Sequence, residues 1–133
     1  MSEVLLPDGW PRPSGYANGR AVPAGRQIFV AGQVGWHPLT LLFESDDMVL
    51  QVAQALRNIV AVLAAGGAEP RHLVRLSWYV TDRAAYQSSL AAIGAVYREI
   101  IGAHYPAMTL LVVAGLLESG ALVEIEATAV VPD

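Results

Sequence analysis

Near its C-terminus the chain reads Leu122-Val123-Glu124-Ile125-Glu126-Ala127-Thr128-Ala129-Val130-Val131. Side chains alternate between the two faces of a β-strand, so this period of two predicts a strand. Its apolar face carries every second residue, namely Val123, Ile125, Ala127, Ala129 and Val131. Its other face carries Glu124, Glu126 and Thr128. Two carboxylates therefore share one strand face in a chain that is 54% hydrophobic.

Two helices are predicted before this strand. The first begins at the capping group Ser45-Asp46-Asp47 and ends at Gly66-Gly67. The second is capped by Asp82 and stops at Gly102. The predicted strands cover 27–34, 74–80, 108–114 and 121–131, with a shorter strand before the turn at 22–25. Residues 1–15, rich in proline and glycine, are predicted to form an irregular lead-in, which makes the order β-β-α-β-α-β-β.

Two helices can cover one face of such a sheet. The other face would hold Glu124, Glu126 and Arg75. Charged residues make up 15% of the chain, against roughly 25% in typical globular chains, so an uncovered sheet face does not suit this composition. We therefore expect a single α+β domain over 1–133 whose copies bury the second face against each other in a symmetric oligomer.

Composition excludes several kinds of function. The chain has no cysteine and no lysine, which rules out thiolate nucleophiles, cysteine metal sites and lysine Schiff bases. Its net charge of −4 argues against nucleic-acid binding, which relies on cationic phosphate contacts. The N-terminus shows no signal-peptide pattern. The longest uncharged run, between Arg26 and Glu44, does not read as a membrane span. We expect a cytoplasmic protein with no cofactor, no metal site and no nucleic-acid or membrane partner.

The polar candidates each have a structural alternative. Glu124 or Glu126 could act as a general base with a raised pKa, or could be a structural carboxylate that pairs with an arginine or caps backbone groups at an interface. Arg75 could be the cross-strand partner or could face solvent. Tyr16, which follows Gly15 in a leading loop, could line a pocket or anchor packing. His37 could titrate in its loop or be an ordinary surface residue.

Together these residues resemble the Rid (reactive intermediate deaminase, or YjgF-like) superfamily, whose members were once described as endoribonucleases or translation inhibitors. The resemblance extends from about Pro13 to Val131. It is carried by an ordered set of segments: Gly15-Tyr16, 28–34, 54–59, 74–82, Tyr105-Pro106-Ala107 and 123–127. It implies a chorismate-mutase-like α+β fold with a mixed sheet, two helices on one face, and three subunits whose sheets form a central barrel.

The resemblance also implies a site in the clefts between subunits. In deaminating members an arginine directly after Pro-Ala binds the substrate carboxylate, and water hydrolyses a 2-imino or 2-enamino acid to a keto acid and ammonia. A glutamate of the Glu-Ile-Glu strand, a leading tyrosine and backbone groups beside the Gly-Gln turn assist. The matching positions here are Glu124, Tyr16 and Gly32.

The arginine is absent, because Met108 follows Tyr105-Pro106-Ala107. Arginine makes two charge-assisted hydrogen bonds to a carboxylate, each worth about 1.5–3 kcal/mol. Losing both would weaken binding by about a hundredfold to ten-thousandfold. Ala31 also replaces a frequent serine, and Gly94 a frequent asparagine.

Two functions follow from this altered site. The favoured one is a divergent imine or enamine deaminase-type hydrolase with Glu124 and Tyr16 as catalytic residues. Its substrate pocket would be lined by Gly32, Ala31, Trp36, Met108 and Leu110. The alternative is a non-catalytic, small-molecule-binding or regulatory trimer, and endoribonuclease activity is the least favoured. Arg20 or Arg75 could also replace the missing arginine.

Overall fold

A four-stranded mixed sheet with helices on one side forms the body of the protein. The computed structural model describes residues 2–133. Its strands are β1 Glu3–Leu5, β2 Gly19–Ala21, β3 Gly25–Val34, β4 Leu73–Val80, β5 Ala107–Val112 and β6 Val123–Pro132. Its α-helices are α1 Met48–Ala65, α2 Arg83–Ser88 and α3 Leu90–Ile100, and a 3₁₀ turn covers Pro70–His72. The strand order is β3-β6-β4-β5, with β4 and β5 parallel and the other pairs antiparallel.

The core lies between α1, α3 and the helix-covered face of the sheet. On β6 the odd-numbered residues from Val123 to Ala129 are buried and the even-numbered ones are not, with Val123, Ile125 and Ala129 fully buried. Opposite them lie the fully buried Leu56 and Ile59 of α1. The predicted face assignment and the α+β class are therefore confirmed.

Helix α1 is, by length and composition, apolar enough to cross a membrane, with a mean hydropathy of 1.6 over 18 residues. Half of that window is buried within the fold, because α1 packs against β3, β6 and α3. It begins as predicted: the Asp47 carboxylate accepts a hydrogen bond from the Leu50 N–H at 3.0 Å, and Gly66 caps its end.

The predicted second helix is two helices. Asp82 caps α2 as expected, by accepting a hydrogen bond from the Ala85 N–H at 3.0 Å. The helix then breaks at Ser89, whose φ and ψ of −109° and 9° are not helical. The Ser88 hydroxyl hydrogen-bonds to the Ala85 carbonyl, and such local serine bonds compete with helix continuation. The apolar residues keep their helical spacing across the break, so the sequence pattern did not indicate it.

The prediction of an irregular lead-in over 1–15 was wrong for its start. Glu3–Leu5 forms a strand that pairs antiparallel with Gly19–Ala21 in a separate two-stranded sheet. Three residues are too short for a period of two to be read, and the partner that stabilises this strand lies 14 or more residues away. Strands β5 and β6 begin at 107 and 123 rather than at 108 and 121.

The opposite face of the sheet has no covering layer within the described chain. It carries Glu124 and Glu126 together with Arg75, as expected. It also carries large apolar groups, since 72% of Phe29 and 49% of Leu111 are exposed. One chain therefore leaves apolar surface on the carboxylate face open.

Candidate functional site

A β-bulge in β3 lies directly opposite the carboxylates of β6. Val30 pairs with Ala127 and Gln33 pairs with Ile125, so Ala31 and Gly32 together oppose Glu126. A β-bulge is a place where two residues of one strand lie opposite one residue of its partner. Bulges are common beside functional sites, where they change the direction of a side chain. The Gly32-Gln33 segment singled out in the sequence is thus an irregular stretch of backbone beside both glutamates.

The Glu124 side chain rests directly on Gly32. A Cβ atom added to Gly32 would lie 2.7 Å from Glu124 Cδ and 2.8 Å from its Oε2. The carboxylate therefore occupies the space that any other side chain at position 32 would fill, and a substitution there would have to displace Glu124. The sequence-predicted pair of Glu124 and Gly32 is in contact within one chain.

Glu126 has a different partner. The Tyr79 hydroxyl donates a hydrogen bond of 2.6 Å to Glu126 Oε1. This hydrogen bond, with desolvation and the charges of Glu126 and Glu124, raises the pKa of Tyr79 above its ordinary value. Arg75 is not the cross-strand partner, since in residues 2–133 the one ion pair joins Arg71 to Glu69. Glu126 is therefore engaged, whereas Glu124 faces the bulge.

Met108 lies on the other face of the sheet. It pairs with Leu76, which is fully buried under the helices, whereas Glu124 pairs with Tyr79 on the open face. Met108 lines a cavity of about 470 Å³ between the Gly15 loop, β4, β5 and the helices α2 and α3. A single chain therefore does not bring Met108 and Glu124 into one cavity.

The loop that carries Tyr16 is attached to the start of β5. The Ala17 N–H donates a hydrogen bond of 3.0 Å to the Pro106 carbonyl, and Ala17 bridges Ala107. Gly15 consequently lines the Met108 cavity. Tyr16, 38% exposed, lines an adjoining groove with Tyr105 instead.

Two other predicted lining residues, Leu110 and Trp36, do not line the Met108 cavity. Leu110 lines a neighbouring cavity that shares Tyr86 and Leu90 with the Met108 cavity. Trp36 packs against Phe43 with ring centroids 5.8 Å apart. His37 organises its own loop, since its Nδ1 accepts a hydrogen bond from the Leu39 N–H.

The remaining histidines lie by the start of β4. His104 Nε2 is 2.7 Å from the Leu73 carbonyl oxygen, and burial lowers the pKa of His104 despite that hydrogen bond. His72 Nδ1 accepts a hydrogen bond from the Glu69 N–H. Across the described part of the chain, no three His, Asp or Glu side chains are grouped so that they could hold a metal ion.

Sequence reasoning missed Arg98 and Trp78. Both line the Met108 cavity, whereas neither proposed replacement arginine does. Arg20 donates hydrogen bonds to the Tyr105 carbonyl and the Ser2 hydroxyl, and Arg75 lies on the opposite sheet face. The available signal was the spacing of Gly94 and Arg98, which places them four residues apart on one side of a helix.

Known proteins match this chain over most of its length. The family model described as Endoribonuclease L-PSP matches residues 12–131. A RutC family protein of Pyrococcus horikoshii is 33% identical over 97% of this chain and 98% of its own. A 2-iminobutanoate/2-iminopropanoate deaminase of Capra hircus is 32% identical over 84% of this chain and 77% of its own.

Solved structures agree with the sequence comparisons. A Rid family protein of unknown function from Yersinia pestis superposes with a TM-score of 0.85, at 34% identity and 98% coverage of both chains. The expected chorismate-mutase-like α+β fold is thereby confirmed. With a family model over residues 12–131 and full-length relatives above 30% identity, the chain belongs to the Rid (YjgF-like) superfamily.

Proposed function

We propose that this protein is a homotrimeric, cytoplasmic hydrolase that deaminates a small imine or enamine without a cofactor. Water would add to the imine carbon while Glu124 accepts a proton from it. That proton would pass to the nitrogen and give a carbinolamine. A second proton would then move from the new hydroxyl group to the nitrogen as the C–N bond breaks, and the products would be a carbonyl compound and ammonia. The observation that carries the proposal is the Glu124 carboxylate resting on the Gly32 bulge, together with relatives named as imine deaminases.

The trimer supplies the second half of the site. Phe29 and Leu111 expose apolar surface on the open sheet face, which a second copy would bury. Each cleft would then combine the Glu124 face of one subunit with the Tyr16 loop and the Met108 wall of the next. This arrangement accounts for their separation within one chain.

Each remaining residue has a defined part in that cleft. Tyr16 and the backbone at Gly32 would hold the polar group of the substrate. Ala31, Trp36, Met108 and Leu110 would give the pocket an apolar lining. Since methionine cannot hold a carboxylate, the substrate would lack a carboxylate at the position where relatives bind one.

Ammonia release tests the proposal. Imines would be generated in situ from alanine by an amino-acid oxidase, and from amines that lack a carboxylate by a flavin-dependent amine oxidase. Ammonia release would be followed with wild type, Glu124→Gln and Glu126→Gln. We expect hydrolysis to depend on Glu124, to persist in Glu126→Gln because Glu126 is occupied by Tyr79, and to prefer the carboxylate-free imines. Met108→Arg should restore hydrolysis of the alanine-derived imine. Equal wild-type and Glu124→Gln rates would refute the assignment.

The second candidate is a trimer that binds a small molecule without turnover. The observation that favours it is Met108 itself, because methionine stands where the family resemblance implies a carboxylate-binding arginine. It predicts saturable ligand binding with no ammonia release from any imine. RNA cleavage is the weakest candidate, because the chain has a net charge of −4 and no lysine.

A further inference from the structure

The Met108 cavity combines an apolar interior with one unengaged cation. Its apolar wall is formed by residues of β4, β5 and the two helices, namely Trp78, Tyr86, Leu90, Ile93 and Met108. Its volume of about 470 Å³ is within the range of small-molecule sites. Arg98 is the arginine that lines it.

The Arg98 guanidinium lies back along its helix toward the cavity. Its Nη1 atom is 3.4 Å from the position that a Cβ on Gly94 would occupy, so the absence of a side chain at Gly94 leaves room for it. Among residues 2–133, Arg98 has neither an ion-pair partner nor a side-chain hydrogen bond. A guanidinium pairs with a carboxylate through two parallel hydrogen bonds, and the exposed Arg98 can offer those donors to a ligand because no group of the described chain holds them.

A second feature of the wall indicates a polar ligand. Trp78 is 3% exposed, and its indole Nε1–H is the buried side-chain polar atom without a hydrogen-bond partner in the described chain. Buried donors are almost always paired, and an unpaired one destabilises the fold. An acceptor atom on a bound ligand would satisfy this donor once the side chains that bury it shift to admit the ligand.

From these observations we infer that Arg98 replaces the missing arginine as the anion-binding residue, and that the cavity takes a carboxylate carried on an apolar chain. The inference deepens the proposed function and rests on it. The carboxylate binds Arg98 on α3, the chain packs against Met108, Trp78 and Tyr86, and the reactive carbon lies away from the carboxylate. The substrate class is therefore an imine or enamine whose acid group is separated from the reacting centre, not an α-imino acid.

Measurements of ligand affinity test the role of Arg98 independently of any catalytic activity. Hexanoate and hexanamide share one chain length and differ in charge, and their affinities would be measured by calorimetry for wild type, Arg98→Gln and Arg57→Gln. Arg57 is an exposed helix arginine outside the cavity and serves as the matched control. We expect wild type and Arg57→Gln to prefer hexanoate, and Arg98→Gln to bind it about tenfold to a hundredfold more weakly with no change for hexanamide.

The Trp78 indole N–H resonance, identified with Trp78→Phe, should shift when hexanoate binds. Equal wild-type affinities for the two probes, failure of both to bind, or hexanoate affinity unchanged by Arg98→Gln would overturn the inference. Its failure is distinct from that of the proposed function. Charge-dependent binding through Arg98 without ammonia release would support the anion site and refute the proposed reaction. Ammonia release with charge-independent binding would support the reaction and refute the anion site.

Discussion

Substitution of Gly32 by alanine should inactivate the protein while leaving it folded. The added methyl group would lie 2.7 Å from Glu124 Cδ, 2.8 Å from Oε2 and 2.9 Å from Cγ, whereas carbon atoms in contact are about 3.5–4.0 Å apart. The carboxylate must therefore move by on the order of 1 Å. Displacement of a reacting group by about 1 Å can cost about a hundredfold in rate. We expect ammonia release to fall by about that factor.

The fold should tolerate the same change. Gly32 is exposed, has no left-handed backbone angle, and meets a side chain that can rotate away rather than backbone. The free energy of unfolding, measured with urea, should stay within about 1 kcal/mol of wild type. Gly115→Ala is the matched control, because a Cβ at Gly115 meets nothing within 4 Å.

A double-mutant cycle identifies the cause. If Gly32→Ala acts by displacing Glu124, its effect on the rate must disappear in the Glu124→Gln background, since the group that it displaces is already inactive. Full ammonia release by Gly32→Ala would refute the reasoning, as would an equal loss of rate in both backgrounds. A large loss of stability in Gly32→Ala would show that the contact is structural.

Three further predictions concern assembly and stability. Phe29→Glu should convert the proposed trimer to monomers in light scattering, because it adds a charge to the open sheet face. Leu50→Glu on the helix layer should leave the wild-type assembly intact, and trimeric Phe29→Glu would contradict the proposal. Gln51→Leu should lower the free energy of unfolding by about 2–4 kcal/mol. The buried Gln51 amide donates hydrogen bonds to the carbonyls of Ser45 and Gly120 and accepts one from the Leu122 N–H. An unchanged urea midpoint would contradict this prediction. The pKa of His104 is lowered in the fold, so as pH falls His104 becomes protonated in the unfolded chain before it does so in the folded one. The free energy of unfolding should therefore fall as pH drops below about 6.5. His104→Gln should flatten the urea midpoint between pH 7 and pH 5, and an equal slope would exclude His104 as its source.

Much of the site could be predicted from local pattern. The Glu124 face follows from a period of two, whereas Gly32 was identified through the family resemblance. Their contact could not be predicted, because it depends on the bulge at Ala31 and Gly32, which changes the register between two strands about 90 residues apart. Arg98 was missed because an exposed arginine on a helix is usually solvated, and nothing local shows that a cavity lies beside it.

The sequence by itself determined the class of fold, the helix caps and which face of β6 is buried, since these depend on periodicity and on side chains hydrogen-bonding to nearby backbone. Through the family resemblance it also predicts that Met108 stands at the position of the carboxylate-binding arginine of deaminating members. The tertiary structure alone decided that Tyr79, not Arg75, engages Glu126, and that Met108 and Glu124 lie on opposite faces of one sheet. Those facts depend on strand register and on which elements cover each face, and contacts between distant residues leave no mark in a local pattern.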